Sequence, residues 1–342
     1  MCMKKCIILF SVLIMSSLSA QDYKFSQFYN SPLNLNPALT GKINSLYRVM
    51  ANYRMQYTPV LTPSPYMTMS ASADVGLLRD VLNDDILGVG INFVTDNQAS
   101  GLLKSNYMYV SAAYHKGLGY DKNHYLSAGF QFGFMQRKLD ANNLVFNSQY
   151  KPLVGFDKSI SSGESLERAN YIRPNLNMGL FWSSSFTDEL SVYAGGALNN
   201  IFKPNDNFLS SDAERERRIT AHGGMTYVFG KKFILNPNVI FQTQAKATDF
   251  IGGTNFNINL SGKRKPFETN VFIGAWYDIN KAFIVSGGMQ HKGFQFGVSY
   301  DATMGGINQA VNSFGALELS LMYVSPPLDK EKRYPLMSCP KF

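Results

Sequence analysis

The residues able to do acid–base, nucleophilic or metal chemistry are few, and their spacing builds no site. The 342-residue chain has four histidines, His115, His124, His222 and His291. The first two flank one expected turn, and His291 sits in another on the same side. Three imidazoles at one mouth would suit a metal, but no carboxylate or thiol is spaced to complete a shell. They read instead as polar turn residues at an interface. His222 shares a strand face with Thr220, Gly224 and Thr226, which gives it a packing role. No Gly-x-Ser-x-Gly is present and no serine is marked out beside a histidine, so a Ser–His hydrolase lacks its nucleophile. Asp212, Glu214 and Glu216 suggest calcium until Arg215, Arg217 and Arg218 are read among them; the cluster neutralises itself on a solvated loop. The glycines Gly88/Gly90, Gly195-Gly196 and Gly287-Gly288 lack the strand-turn-helix context of a phosphate loop. They relieve crowding or let strands bend. The expectation is a protein that is not an enzyme, with no catalytic residues, no metal and no cofactor.

The elements carrying these residues read as strands. Leu87, Val89, Ile91 and Phe93 alternate with Gly88, Gly90 and Asn92. Leu126, Ala128, Phe130, Phe132 and Phe134 alternate with Ser127, Gly129, Gln131 and Gly133. Phe294, Phe296, Val298 and Tyr300 alternate with Gln295, Gly297, Ser299 and Asp301, and Leu317, Leu319, Leu321 and Tyr323 with Glu318 and Ser320. Each segment runs about ten residues, enough for a tilted strand to cross the hydrocarbon. Candidates number about fourteen, an even count that places both ends of the wall on one side of the membrane. They centre near Asn52, Ala71, Val89, Val110, Phe130, Gly179, Tyr193, Gly223, Val239, Asn255, Ala275, Gly287, Gly297 and Leu319. The longest connectors, 140–170 and 203–216, follow odd-numbered strands, as outer loops do.

Composition agrees with a membrane barrel. Charged residues are 16% of the chain, and there are 25 Phe and 19 Tyr. Mean hydropathy is −0.12, and after the leader no run approaches the roughly 18 apolar residues of a membrane helix. Lys4 and Lys5 precede the apolar run from Ile7 to Met15, and small residues continue to Ala20, the pattern of a signal peptide over 1–20. Net charge is +8, or +6 once Lys4 and Lys5 leave. The cations cluster in short turns such as Gly262-Lys263-Arg264-Lys265-Pro266, with no interleaved aromatic groove, which excludes nucleic acid as a partner. Cys2 and Cys6 lie in the leader, so the exported chain keeps Cys339 alone and forms no internal disulfide. The architecture expected is all-β: a transmembrane antiparallel β-barrel over 45–324. A periplasmic or plug segment precedes it over 21–44, and a Pro-rich periplasmic tail follows over 325–342.

Both ends of the exported chain carry a specific pattern. Gln21, Asp22, Phe25, Ser26, Gln27, Phe28, Tyr29, Pro32, Leu33, Leu35, Asn36, Pro37 and Ala38 form one run. Tyr47, Arg48, Asn52, Tyr53 and Arg54 form a second, and Cys339, Pro340, Lys341 and Phe342 end the chain, with Lys where the pattern more often has Arg. These runs resemble the PorP/SprF family of outer-membrane barrels from type IX secretion and gliding systems. The resemblance implies an integral outer-membrane protein without catalytic chemistry. Its implied partners are periplasmic secretion or gliding machinery, a large secreted surface adhesin, or both, besides outer-membrane lipid. Phe25, Gln27, Phe28, Tyr29, Asn36 and Pro37 are the candidate partner-binding residues of the opening segment, either tucked into the barrel or forming a docking surface. In the tail the candidates are Tyr334, Cys339, Pro340, Lys341 and Phe342, on a segment pre-stiffened by proline. The rival reading is a diffusion channel or hydrophobic-solute transporter.

Overall fold

A strand that crosses lipid must satisfy its backbone sideways, so a set of crossing strands has to close on itself. A computed structural model of the chain has that closure. It describes residues 22–326 except 59–60, 62–64, 79–84, 99–100, 120–122, 141–142, 164–168, 207, 209–213, 231, 261–268, 305–307 and 312. The leader and the tail candidates Tyr334, Cys339, Pro340, Lys341 and Phe342 lie outside the described residues.

Fourteen strands form one closed barrel. They are β1 (Tyr47–Gln56), β2 (Tyr66–Leu77), β3 (Ile86–Gln98), β4 (Leu103–Leu118), β5 (His124–Leu139), β8 (Asn170–Ser185), β9 (Leu190–Asn199), β10 (Arg218–Phe229), β11 (Phe233–Gln244), β12 (Ala247–Asn259), β13 (Asn270–Asp278), β14 (Ala282–His291), β15 (Phe294–Thr303) and β16 (Phe314–Val324). The two-residue strands β6 (Tyr150–Lys151) and β7 (Gly155–Phe156) pair within the β5–β8 connector. Each strand centre expected from the alternation falls inside one barrel strand. Neighbours in sequence pair as antiparallel hairpins, and β1 closes on β16 from Arg48 opposite Val324 to Gln56 opposite Ala316.

The wall is apolar outside and polar inside. On β5, Leu126, Phe130, Phe132 and Phe134 are exposed, whereas Ser127 and Gln131 are buried. On β16, Leu317, Leu319 and Leu321 are exposed, whereas Glu318 and Ser320 are buried. A hydrocarbon surround makes this arrangement stable, since outward side chains meet lipid and inward ones find partners. Phe132→Arg is therefore expected to cost roughly 2–4 kcal/mol. Alternation alone makes arginine on the lumen face, at Gln131 or Ser320, the milder change. The structure reverses this for Ser320, which is packed against Asn30 and Gln27 and leaves no space for a longer side chain. Denaturant melts in detergent should show Ser320→Arg at least as damaging as Phe132→Arg; a clearly milder Ser320→Arg would mean the lumen has room.

The near end of the barrel, where β1 begins and β16 stops, carries the β4–β5 and β8–β9 turns. The far end carries the long connectors between β5 and β8 and between β9 and β10. Length does not sort the two ends completely. The near-end β12–β13 connector spans 260–269, while β11 and β12 are joined at the far end by Ala245 and Lys246 alone. One histidine is also misplaced by turn reasoning. β4 continues to Leu118, so His115 is a lumen-facing strand residue, fully buried, and not a polar turn residue.

Candidate functional site

The lumen is occupied by the chain's own opening segment, residues 22–45, which runs from the far end to the near end before entering β1. Short helical turns at Phe28–Asn30, Pro32–Leu35 and Pro37–Leu39 make it compact. Proline suits each of the last two starts, where no backbone N–H is required. The Asn36 side chain caps the turn at Pro37 by accepting from Ala38 N at 2.9 Å.

At the far end Asp22 is gripped by the β9–β10 connector. Its backbone N donates to Gln244 Oε1 at 2.8 Å. Its carboxylate accepts from Arg215 Nε at 2.7 Å and from Asn200 Nδ2 at 2.8 Å. Arg215 also donates to Asp206 at 2.7 Å, and Asp206 is held in turn by Arg137 and Tyr171. Burial pushes the Asp22 carboxyl up, but Arg215 and Arg218, with hydrogen bonds from Arg215 and Asn200, overcome it and lower it from 3.8 to about 2. A depressed carboxyl stabilises the fold fully above its unfolded pKa and loses that contribution as pH falls through its folded one. This latch should thus weaken between about pH 4 and about pH 2, by on the order of 2 kcal/mol. Acid titrations of thermal stability should show that decline in the wild type and a smaller one in Asp22→Asn. Equal slopes would remove Asp22 from the latch.

Deeper in, the segment ties the barrel's closing strands together. Ser26 N and Gln27 N donate to the two oxygens of the Glu318 carboxylate at 2.7 and 2.9 Å. Ser26 Oγ donates to Asp301 at 2.6 Å. Arg54, from β1, donates to Asp301 on β15 at 2.7 Å and to Glu318 on β16 at 3.1 Å. Asn30 donates to Ser320 at 2.9 Å and accepts from Gln295 at 2.9 Å. These groups are almost fully buried, and each carboxylate meets both a guanidinium and N–H or O–H donors.

The apolar side of the segment faces β8–β14. Tyr29 stacks on Trp276 with ring centroids 5.1 Å apart, and Phe28 meets the same indole edge-on at 5.5 Å. Phe28, Tyr29, Leu35, Ala38 and Leu39 form one core with wall residues that include Phe181, Tyr193, Ile240 and Ile284. Asn36 reaches across to β8 and β9, donating to Leu180 O at 2.9 Å and Gly196 O at 3.2 Å, with His222 Nε2 3.1 Å away. His222 stacks on Phe181. Near the bottom, His115 Nε2 donates to Thr40 O at 2.7 Å, and Asp74 accepts from Gly41 N at 2.7 Å and from Arg48 at 2.8 Å. The wall leaves room for this segment by omitting side chains. A Cβ on Gly179 would lie 1.9 Å from Asn36 Oδ1, and one on Gly88 1.9 Å from Thr40 O.

Phe25, Gln27, Phe28, Tyr29 and Asn36 are thus all buried inside the barrel, and Pro37 with them. Of the residues that hold this segment, Arg48 and Arg54 belong to the second patterned run and Asp301 and Glu318 to polar strand faces, but their pairing with the opening segment was not read from sequence, and Asp74 was not named at all. Arg48, Arg54, Asp74, Asp301 and Glu318 are charges at inward positions of otherwise uncharged strand faces. That was the available signal, since a buried charge requires a partner. Among the described residues no group of three His, Cys, Asp or Glu is placed to hold a metal ion. His115 and His222 are committed to plug contacts. A polar recess of about 240 Å³ opens at the far end beside Lys24, Arg54, Asp278 and Lys281.

A family model for the type IX secretion system membrane protein PorP/SprF matches residues 17–323. The chain belongs to this family. No curated protein sequence matches it. Among solved structures, a mutant of the TodX monoaromatic hydrocarbon channel is similar with a TM-score of 0.50 and 9% identity, over 86% of this chain and 93% of that one. The toluene transporter TbuX of Ralstonia pickettii gives 0.48 and 11% over 86% and 92%. A FadL homologue of Pseudomonas aeruginosa gives 0.49 and 11% over 84% and 92%. At such identities the likeness is one of fold. This PorP/SprF protein is an outer-membrane β-barrel of the type IX secretion membrane protein family.

Proposed function

We propose that this PorP/SprF barrel is a non-enzymatic, partner-binding anchor. It connects the outer membrane to periplasmic secretion or gliding machinery, or serves the export and surface attachment of adhesins. The observation that carries this reading is the occupied lumen. A segment bonded to β1, β2, β15 and β16 by charged groups, and packed by aromatic rings on β8–β14, makes a rigid body and not a conduit. Rigidity favours docking, because less ordering entropy opposes each contact. Phe28, Tyr29, Asn36 and Pro37 then serve binding from within, by fixing the rims. The near end is the periplasmic side in this reading. The tail that leaves it at Ser325, with Tyr334, Cys339, Pro340, Lys341 and Phe342, is the machinery contact, and the far-end loops face the cell exterior.

The test is electrical. The purified protein in a planar bilayer should show no stable conductance, whereas a variant lacking residues 22–45 should conduct if its wall still closes. A stable open pore in the full-length protein would favour the diffusion-channel reading.

A further inference from the structure

The β5–β8 connector is built inside out. Its interior is polar: Gln149 is buried, accepts from Asp157 N at 2.8 Å through its backbone carbonyl, and donates through Nε2 to Ile160 O at 2.8 Å. Asp157 pairs with Lys151 at 2.8 Å and accepts from Ser159 N at 3.0 Å. Its exterior is apolar. Leu153 is fully exposed, Val154 is 75% exposed, and Tyr150 and Phe156 lie half in water, edge to face with ring centroids 5.3 Å apart. The tip is a turn closed by Val154 N donating to Lys151 O at 3.2 Å, with Pro152 at its second position. Leu153 follows at φ +73°, a left-handed conformation that ordinarily selects glycine or asparagine. A leucine there departs from local preference and places its side chain at the apex.

Two observations decide what covers this tip. β4, β5 and β8 each have 16 residues, against 9 in β13. At about 3.3 Å per residue and a tilt near 40°, they rise about 40 Å, beyond a hydrophobic band about 25 Å tall. At their far ends the outward face turns polar. Asn106 donates to Gln136 and Gln136 to Asn170, each at 3.1 Å, beside the exposed Lys104 and Lys138. The hairpin is therefore raised above a polar collar and separated from the hydrocarbon. Its Lys151–Asp157 pair satisfies its own charge, so the tip itself presents an uncharged apolar surface.

We propose that the Tyr150–Phe156 hairpin is a docking element for a protein at the cell surface, its Leu153–Val154 tip entering an uncharged apolar pocket on that partner. This rests on the second role in the anchor reading above, export and surface attachment, in which the partner is an exported client of the secretion system.

The experiment begins with a deletion strain and surface biotinylation, which define the proteins whose display depends on this barrel. The double variant Leu153→Asn, Val154→Ser keeps the turn, because asparagine accepts the left-handed conformation. It should lower display of those proteins at least fivefold while the barrel remains folded and heat-modifiable at normal abundance. A photo-crosslinking residue at position 154 should link to one of those same proteins. Normal display with the double variant, or crosslinks to lipopolysaccharide alone, would overturn the proposal. No loss of display in the deletion strain would instead sink the export-and-attachment role on which the proposal rests. A Leu153→Gly variant, which relaxes the turn, separates the two effects. Loss of display there with a folded barrel supports the side-chain role, and full retention contradicts it.

Discussion

Arg54→Met should destabilise the barrel by about 3–5 kcal/mol, the cost of leaving a buried charge network without its cation. Arg54 is the cation that meets both Asp301 and Glu318, and all three side chains are at most 6% exposed. Removing it leaves two carboxylates facing each other out of water. The Ser26 and Gln27 amides still reach Glu318, but a hydrogen bond does not supply a charge. The damage falls at a sensitive place, because Arg54 stands on β1 and the two acids on β15 and β16, across the seam that closes the barrel. Denaturant melts of heat-modifiable protein would measure it. Replacing the acids as well, in Arg54→Met, Asp301→Asn, Glu318→Gln, should recover much of the loss, since neutral partners carry a far smaller desolvation cost. If Arg54→Met alone melts within about 0.5 kcal/mol of wild type, the level of an ordinary surface substitution, the triad is not what secures the seam.

This seam also marks where sequence reasoning stops. The wall is legible because its rule is local. A strand in lipid has period two, and one uniform solvent covers every outward position, so Phe130, Phe132 and Phe134, or Leu317, Leu319 and Leu321, declare a face by themselves. The inward face has no such uniform partner. Glu318 answers to Ser26, 292 residues earlier, and Asn36 to Leu180, 144 residues later. Nothing in the spacing around either residue states that match. The opening run could be read as distinctive, and its aromatics as unsuited to water, without revealing which wall residues receive them. His115 shows the same limit at one position. The turn expected to start at His115 begins only after Leu118, and the His115 imidazole, inside the strand, bonds Thr40 of the plug and Ser127 of β5. Gly88 reads as relief of crowding; what crowds it is the plug backbone at Thr40, and Gly179 on β8 likewise makes room for the Asn36 side chain.

Trp276 is where the apolar half of the plug depends most on a single wall side chain, and Trp276→Ala should cost about 3–5 kcal/mol. The indole is 1% exposed, stacks on Tyr29 and receives the edge of Phe28. Its Nε1 donates to Ser286 Oγ at 3.2 Å, which fixes the ring's orientation. Truncation opens a cavity that the two plug aromatics cannot fill, because their neighbours Gln27 and Asn30 are pinned to β15 and β16. The next residue provides the control. Tyr277 faces outward and is exposed to lipid, so Tyr277→Ala loses contact area without making an internal void. A double-mutant cycle of Trp276→Ala with Tyr29→Ala isolates the stack, expected to couple by about 0.5–1.5 kcal/mol. Because the defect loosens the plug and leaves the wall intact, the Trp276→Ala barrel should also show intermittent conductance in a bilayer where the wild type is silent. A variant as stable and as silent as the parent, or one no worse than Tyr277→Ala, would mean that polar contacts alone hold the segment in place.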